Sequence, residues 1–131
     1  MISSKLTRVA FGVSLAEGWA APDVGNQGPT GSASYNHHNP GNLRSSEYEA
    51  GNDGSFSIFN NDFEGFMALV RQLELIGTGK NPLYAGDQTI EQVFSTYTAL
   101  AIGDAALDDY LTVIEQTAGV KRSDLFSTIM A

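Results

Sequence analysis

The chain has 131 residues, 42% of them hydrophobic, which suits one folded domain with a single core and excludes a disordered composition. A net charge of −8 disfavours binding to nucleic acid or to anionic membrane surfaces, because both repel an acidic protein. The absence of cysteine excludes disulfides, thiolate metal sites and a cysteine nucleophile.

The first predicted element is a helix over about Ser4–Trp19. Its apolar positions recur at the i, i+3, i+4, i+7 spacing of one helical face, with a flanking row at spacing four. The helix is expected to stop at Gly18 or soon after, before Pro22. The face comprises Leu6, Val9, Ala10, Val13, Ala16 and Glu17, and the flanking row comprises Phe11, Leu15 and Trp19.

The same segment has some likeness to a secretory signal peptide. Lys5 and Arg8 precede a short apolar run, but Gly12 and Ser14 interrupt that run. No apolar run is long enough to span a bilayer. We therefore predict neither an export signal nor a membrane span.

Residues 22–42 are rich in Gly, Pro, Asn and Ser and are predicted to form a long loop. Long loops in compact domains are more often functional than idle. Two short strands, Leu43–Tyr48 and Ser55–Phe59, are predicted to follow, with a hairpin signal at Asp53-Gly54 between them.

A second helix is predicted to begin from a cap at Asn61 or Asp62 and to end at Gly77. Its helical spacing indicates one apolar face that should turn toward the core. That face comprises Phe63, Phe66, Met67, Val70, Leu73 and Ile76.

The last third of the chain is predicted to be helical. Thr89 and Gln92 form a capping box that opens a third helix. Asp104 opens a fourth helix that ends at Gly119, and a short last helix starts at position 123 or 124. The inward residues are Val93, Phe94 and Tyr97 on the third helix and Leu107, Leu111, Ile114 and Ala118 on the fourth. The predicted fold class is therefore α+β and mainly helical.

Glu17 stands out because an acidic residue closes an apolar helix. It lies one turn past Val13, and it should point toward the core side or the edge of a cleft. The negative end of the helix dipole and partial burial both raise the pKa of a carboxyl group. A protonated carboxyl in a cleft is what acid-catalysed cleavage of a glycosidic bond requires. The alternative is a half-exposed glutamate that accepts a backbone hydrogen bond and has no further role.

Several motifs occur in a characteristic order over about residues 9–120. They are Glu17-Gly18-Trp19, Asn39-Pro40-Gly41-Asn42-Leu43, Phe56-x-x-Phe59, Gly65-Phe66, Tyr97-Thr98-Ala99, Tyr110 and Thr117-Ala118-Gly119-Val120. The pattern resembles the lysozyme-like lytic transglycosylase domains of bacteriophage and prophage proteins. It departs from that family at His38, where an asparagine is usual, and after Tyr97, where Thr98 intervenes and Leu100 replaces a proline.

The resemblance implies a single lysozyme-like domain over residues 1–131, with a small β-hairpin wing and a cleft. It implies that Glu17 protonates the glycosidic oxygen between N-acetylmuramic acid and N-acetylglucosamine in peptidoglycan. In the transglycosylase mode the same carboxylate then removes a proton from the muramyl C6 hydroxyl, giving an anhydro product; a hydrolysed product is the alternative. No cofactor or metal is implied. The partners would be glycan strands and other virion proteins, and the location the virion or the bacterial cell wall and periplasm.

The resemblance also implies supporting residues. The Tyr97 hydroxyl would hold Glu17 or an N-acetyl group, Asn39 and Asn42 would bind sugar amides, and Tyr35 would stack on a sugar ring. The alternatives are a core aromatic for Tyr97 and stabilisation of the turn for the two asparagines.

The sequence also offers candidates for a second catalytic carboxylate beside Glu17. Glu47, Glu49 and Asp53 fall on the predicted β wing and Asp23 on the loop after the first helix. The first three are favoured as parts of a solvated hairpin, and the choice between retention and inversion stays open.

No metal site is predicted, since the adjacent His37 and His38 should not converge on one ion. The rival to an enzyme is a non-catalytic lysozyme-like module, used as a structural or saccharide-binding part of a virion or secretion device.

Overall fold

The computed structural model of the chain describes residues 3–18 and 36–131. These residues are mainly helical, with one small antiparallel sheet, so the predicted α+β class is confirmed for them. Their complete α-helices are α1 (Ser4–Ala16), α2 (Asp62–Gly77), α3 (Ile90–Thr98) and α4 (Ala105–Ala118), followed by a 3-10 helix (Phe126–Met130); the strands are β1 (Gly51–Asn52) and β2 (Ser57–Ile58).

The described residues group into two compact units. The first unit comprises those of Met1–Gly12 and Gln72–Ala131, and the second those of Val13–Arg71. The first unit therefore holds α3, α4 and the 3-10 helix, and the second holds the hairpin and Glu17. The prediction of one domain over 1–131 stays a prediction.

An aromatic cluster lies in the core of the first unit. The Phe94 ring is fully buried and lies 5.7 to 5.9 Å, centroid to centroid, from the rings of Tyr97, Tyr110 and Phe126. The contacts with Tyr97 and Phe126 are edge-on and the contact with Tyr110 is tilted, and edge-on pairs at these distances add to the gain from burying the rings. The inward residues predicted for α4 are confirmed as buried, namely Leu107, Leu111, Ile114 and Ala118.

The helix ends in the first unit lie where the capping residues predict them. The Thr89–Gln92 capping box forms with both of its hydrogen bonds, at 2.9 and 3.2 Å. The Asp104 side chain caps α4 through Ala106 N, and Gly119 ends that helix with φ of 68°. Each device satisfies backbone groups that a helix end leaves without partners.

The predicted short last helix is present, but its predicted start at position 123 or 124 is wrong. The Asp124 side chain accepts a hydrogen bond from Lys121 N, and its backbone carbonyl accepts one from Ile90 N. These bonds commit residues 121–124 to a turn, so helical structure begins only at Phe126 and is of the 3-10 type.

In the second unit, α1 ends earlier than its predicted end at Trp19. The last helical bond is Glu17 N to Val13 O at 2.9 Å, and Gly18 follows with φ of 84°. A left-handed glycine after the last turn is a common helix terminator. The predicted stop at Gly18 is therefore confirmed, and Trp19 lies outside the described residues.

The hairpin forms around the predicted turn. β1 and β2 pair antiparallel with Gly51 opposite Ile58. Asp53-Gly54 lies in the connection, and Gly54 adopts a φ of 97° that suits glycine. The second strand is shorter than the predicted Ser55–Phe59 but overlaps it.

The prediction of a first strand at Leu43–Tyr48 is wrong. Glu49 Oε1 accepts a hydrogen bond from Ser46 N at 3.2 Å, and Asn52 Nδ2 donates to Arg44 O at 2.8 Å. Side chains thus occupy backbone groups that a strand ladder would need, and local bonds of this kind compete with secondary structure. The paired residues of the sheet begin only after this segment, with Gly51 opposite Ile58.

The predicted apolar face of α2 is partly wrong. Phe63 is 73% exposed and Met67 is 36% exposed, although the helix itself begins and ends as predicted. The Asn61 side chain caps it, accepting from Glu64 N at 2.9 Å. The buried residues of α2 are Gly65, Ala68, Leu69, Val70, Leu73 and Ile76.

Candidate functional site

Glu17 is the first residue after α1, in the second unit. Its side chain is half-buried, and its backbone N–H makes the last bond of the helix. The carbonyl groups of the final helical turn give this end a partial negative charge. A negative charge near this end of a helix is less favourable than one near the opposite end.

Asn39 is fully buried and its side-chain amide is committed to the backbone around it. Its Nδ2 donates to Leu43 O and Ser57 O at 2.9 and 3.0 Å, and its Oδ1 accepts from Leu43 N at 2.8 Å. These bonds give Asn39 the turn-stabilising role that the sequence left as an alternative. Its role as a ligand for sugar amides stays a prediction, and in this arrangement the amide has no exposed surface.

Asn42 differs from Asn39 because its side-chain oxygen makes no hydrogen bond among the described residues. Its backbone N–H donates to Asn39 O at 2.9 Å, and its φ of 53° lies in the left-handed region. Its side-chain Oδ1 is shielded from solvent and has no hydrogen-bond partner among the described residues. A buried acceptor without a partner costs about 1–3 kcal/mol, and asparagine tolerates the left-handed region better than most residues.

Of the two aromatic candidates, Tyr97 lies within the described residues and Tyr35 lies outside them. Tyr97 is half-buried on α3 in the first unit, with its ring edge-on to Phe94 at 5.7 Å. This contact is typical of the core-aromatic alternative. Tyr35 lies outside the described residues, as do Trp19 and Asp23.

The acidic residues of the hairpin are occupied with the hairpin itself. The pKa of Glu49 is lowered, first by the hydrogen bond from Ser57 Oγ at 2.6 Å and then by that from Asn52. Glu47 is exposed and lies 3.9 Å from Arg71 Nε. Glu49 is held ionised at neutral pH by these bonds, so it does not have the properties of a general acid.

Asp53 in the hairpin turn is also held in its ionised form. Hydrogen bonds from His37, and then from the backbone N–H groups of Phe56 and Ser55, lower its pKa to about 2. Three donors on one carboxylate stabilise the charged form. Asp53 is therefore a fixed negative charge in the hairpin turn.

The adjacent histidines contact different carboxylates. His37 Nε2 lies 2.8 Å from Asp53 Oδ2, and His38 Nδ1 lies 2.8 Å from Asp62 Oδ1. No group of three metal-ligating side chains converges within residues 3–18 and 36–131. The sequence contains no local signal for these pairs, because 16 and 24 positions separate the partners.

The first unit carries a depression of about 290 Å³ that the sequence did not predict. Arg122 lies in it, with Nη1 at 2.7 Å from Asp108 and Nη2 at 2.9 Å from Glu115. Because both carboxylates already occupy the guanidinium, the depression does not present it to an anion. The other lining residues are Glu91, Gly103, Asp104, Ala105, Leu107 and Leu111.

Among the described residues, no helix combines the length and the apolar character needed to cross a bilayer. Comparison of the chain with known protein families, with curated proteins and with solved structures found no match.

Proposed function

We propose that this chain is a peptidoglycan-cleaving enzyme of the lysozyme-like type, with Glu17 as its general acid. The observation that carries the proposal is the position of Glu17: a half-buried acidic residue directly after the last residue of α1, at the negative end of the helix. Both features disfavour ionisation, and a proton retained near neutral pH is the requirement for protonating a glycosidic oxygen.

The proposed reaction needs one carboxyl group. Glu17 gives its proton to the oxygen that links N-acetylmuramic acid to N-acetylglucosamine, and the bond from muramyl C1 to that oxygen breaks. The carboxylate then takes the proton of the muramyl C6 hydroxyl, whose oxygen forms the new bond to C1. Glu17 ends in its starting state, and no water is consumed.

The acids of the hairpin support a mechanism with one carboxyl group. Glu49 and Asp53 are ionised and held by hydrogen bonds inside the hairpin, so neither is free to serve as a nucleophile. A retaining mechanism with two carboxyl groups would need one of these two, or Glu47 or Asp23, as the second group. The proposal therefore favours the anhydro product over the hydrolysed one.

The proposal extends to the fold and the supporting residues. A lysozyme-like arrangement with a cleft, contacts of Tyr97, Asn39, Asn42 and Tyr35 with the glycan, and delivery by a virion to the cell wall all belong to it.

The test is release of muropeptides from purified sacculi, with the products identified by mass spectrometry. Wild-type protein should release anhydro-muropeptides, which are one water lighter than hydrolysed ones. Glu17→Gln should abolish release while leaving the circular dichroism spectrum unchanged. Asp109→Asn, an exposed acid of α4, is the matched control and should retain wild-type release.

Two results would reject the assignment. Unchanged release by Glu17→Gln would show that another group supplies the proton. No release by wild-type protein over a range of pH and salt would favour the non-catalytic module instead.

A further inference from the structure

Asp53 is the only aspartate or asparagine of the chain that a glycine follows. The pair lies in the connection of the hairpin, where a Cβ built on Gly54 would meet open space among the described residues. Packing therefore does not shield the peptide group between the two residues. The proposed mechanism makes no use of this pair.

An aspartyl-glycine pair carries the atoms for a rearrangement of its own backbone. The Gly54 nitrogen bonds to Asp53 Cγ, and a side-chain oxygen leaves as water with the amide proton and the proton of the carboxyl group, which closes a succinimide ring. Water then adds to the ring. If the original bond from the Asp53 carbonyl carbon to the Gly54 nitrogen breaks, the product is isoaspartate, whose Cβ and Cγ lie in the main chain. If the new bond breaks, aspartate is restored.

The folded turn opposes the first step at the carboxyl group. Asp53 Oδ1 accepts hydrogen bonds from Ser55 N and Phe56 N, each at 2.8 Å, and Oδ2 accepts one from His37 Nε2 at 2.8 Å. Both oxygens are therefore held away from the following nitrogen. An oxygen leaves as water only from the protonated acid, and these donors stabilise the ionised form, with a pKa of about 2.

The turn also opposes the step at the attacking nitrogen. Gly54 N donates a hydrogen bond to Asn52 Oδ1 at 2.8 Å. The Asn52 side chain is itself held, because its Nδ2 donates to Arg44 O at 2.8 Å. The amide must leave this bond before it can approach the carboxyl carbon. The two reacting groups are thus engaged by two different side chains, His37 and Asn52.

We propose that Asp53–Gly54 is an isomerisation site whose rate is set by the hydrogen bonds of the hairpin turn, with His37 and Asn52 as the residues that keep it slow. Isomerisation lengthens the main chain inside a turn that the bond from Asp53 N to Phe56 O closes at 3.1 Å. The product should therefore lose the hairpin. The inference concerns the lifetime of the hairpin and does not depend on catalysis.

The first arm of the test follows isoaspartate in the full chain, incubated at neutral pH and physiological temperature. Trypsin releases residues 45–71 as one peptide, whose two isomers are separated by liquid chromatography and identified by electron-transfer fragmentation. Folded wild-type protein should isomerise at position 53 at least roughly tenfold more slowly than the same protein unfolded in urea, because the reaction needs local opening. Equal rates in the two states overturn the proposal.

The second arm removes each restraint alone. His37→Ala and Asn52→Ala should each isomerise roughly tenfold faster than the wild type when folded, and at the wild-type rate in urea. His37→Gln keeps an N–H donor near the position of Nε2 and should restore a slow rate. His38→Ala is the matched control, because His38 contacts Asp62 instead, and it should keep the wild-type rate.

Three results would contradict the roles of these side chains. Rates within about twofold of the wild type in both His37→Ala and Asn52→Ala would show that neither restraint controls the reaction. An equally fast rate in His38→Ala would indicate general loosening of the chain. A rate in His37→Gln that matches His37→Ala would exclude the hydrogen bond as the cause.

Hydrogen exchange separates opening of the turn from unfolding of the chain. Ala50 N donates to Ile58 O in the hairpin at 2.8 Å, and Ile90 N donates to Asp124 O in the first unit at 2.9 Å. In aged protein the isomerised fraction should exchange Ala50 roughly tenfold faster, with Ile90 unchanged. Unchanged Ala50 exchange in that fraction overturns the predicted loss of the hairpin, whatever the sacculi show.

Discussion

His37 Nε2 lies 2.8 Å from Asp53 Oδ2, and this pair joins the hairpin turn to the segment that leads into the Asn39–Asn42 turn. The contact holds the pKa of Asp53 at about 2, against a usual value of 3.8. In the folded protein Asp53 therefore binds a proton more weakly than it does in the unfolded chain. The stability that this contributes is complete above a pH of about 4 and is lost as the pH falls through 2.

The substitution Asp53→Asn should remove that pH dependence. The urea midpoint of the wild type should fall between pH of about 4 and about 2 more steeply than that of the variant, because only the wild type must protonate this carboxylate. The exposed Asp109→Asn should keep the wild-type slope. Parallel slopes for wild type and Asp53→Asn would show that the turn does not depend on the charge.

Gly65→Ala should destabilise the protein by about 2–3 kcal/mol. A Cβ at this position overlaps the His38 carbonyl and comes within 2.9 Å of Pro40 Cδ, so the turn must move away from α2. Gly86→Ala is the matched control, since a Cβ there meets open space and should change stability by less than about 0.5 kcal/mol. Chemical denaturation measures both, and equal stabilities would contradict the packing described here.

Phe63→Ala should leave the free energy of unfolding within about 0.5 kcal/mol of the wild type. Phe63 is 73% exposed, whereas Leu69 on the same helix is fully buried. Leu69→Ala should therefore cost about 2–5 kcal/mol by leaving a cavity. A comparable cost for the two variants would return Phe63 to the core face that its spacing predicts.

Arg122→Lys should destabilise the first unit by about 1 kcal/mol. The guanidinium contacts Asp108 and Glu115 at 2.7 and 2.9 Å, and it lowers the pKa of Glu115. A lysine has one charged nitrogen in place of the planar fork whose two terminal nitrogens each contact one carboxylate, so it reproduces this geometry poorly. The contribution of Glu115 should be present above its usual pKa of 4.5 and should decline at lower pH.

Thermal or urea unfolding at neutral and acidic pH measures this effect. The neighbouring Lys121→Arg, on an exposed side chain, is the control and should be neutral. A loss for Arg122→Lys that stays constant as the pH falls well below 4.5 would mean that the ion pair with Glu115 is not its cause.

The amino-acid sequence by itself determined several helix ends, although not the start of the last helix. Thr89 with Gln92, Asp104, Gly119 and Gly18 all lie where a cap or stop was predicted. These devices act between groups that are at most four positions apart, so the information needed to read them is contained in a short segment. The same holds for the placement of Glu17 at the end of α1.

Only the tertiary structure decided the features that depend on distant partners. β1 begins at Gly51 because side chains occupy the backbone before it, and Phe63 is exposed although its spacing fits the apolar face of α2. No sequence signal predicts the bonds of His37 and His38 to two different aspartates, or the Asn42 oxygen that has no partner in the part of the chain that the structure describes. Helical spacing shows which residues share a face, but the burial of a side chain and the partner of a polar atom are set by whatever the fold brings beside it.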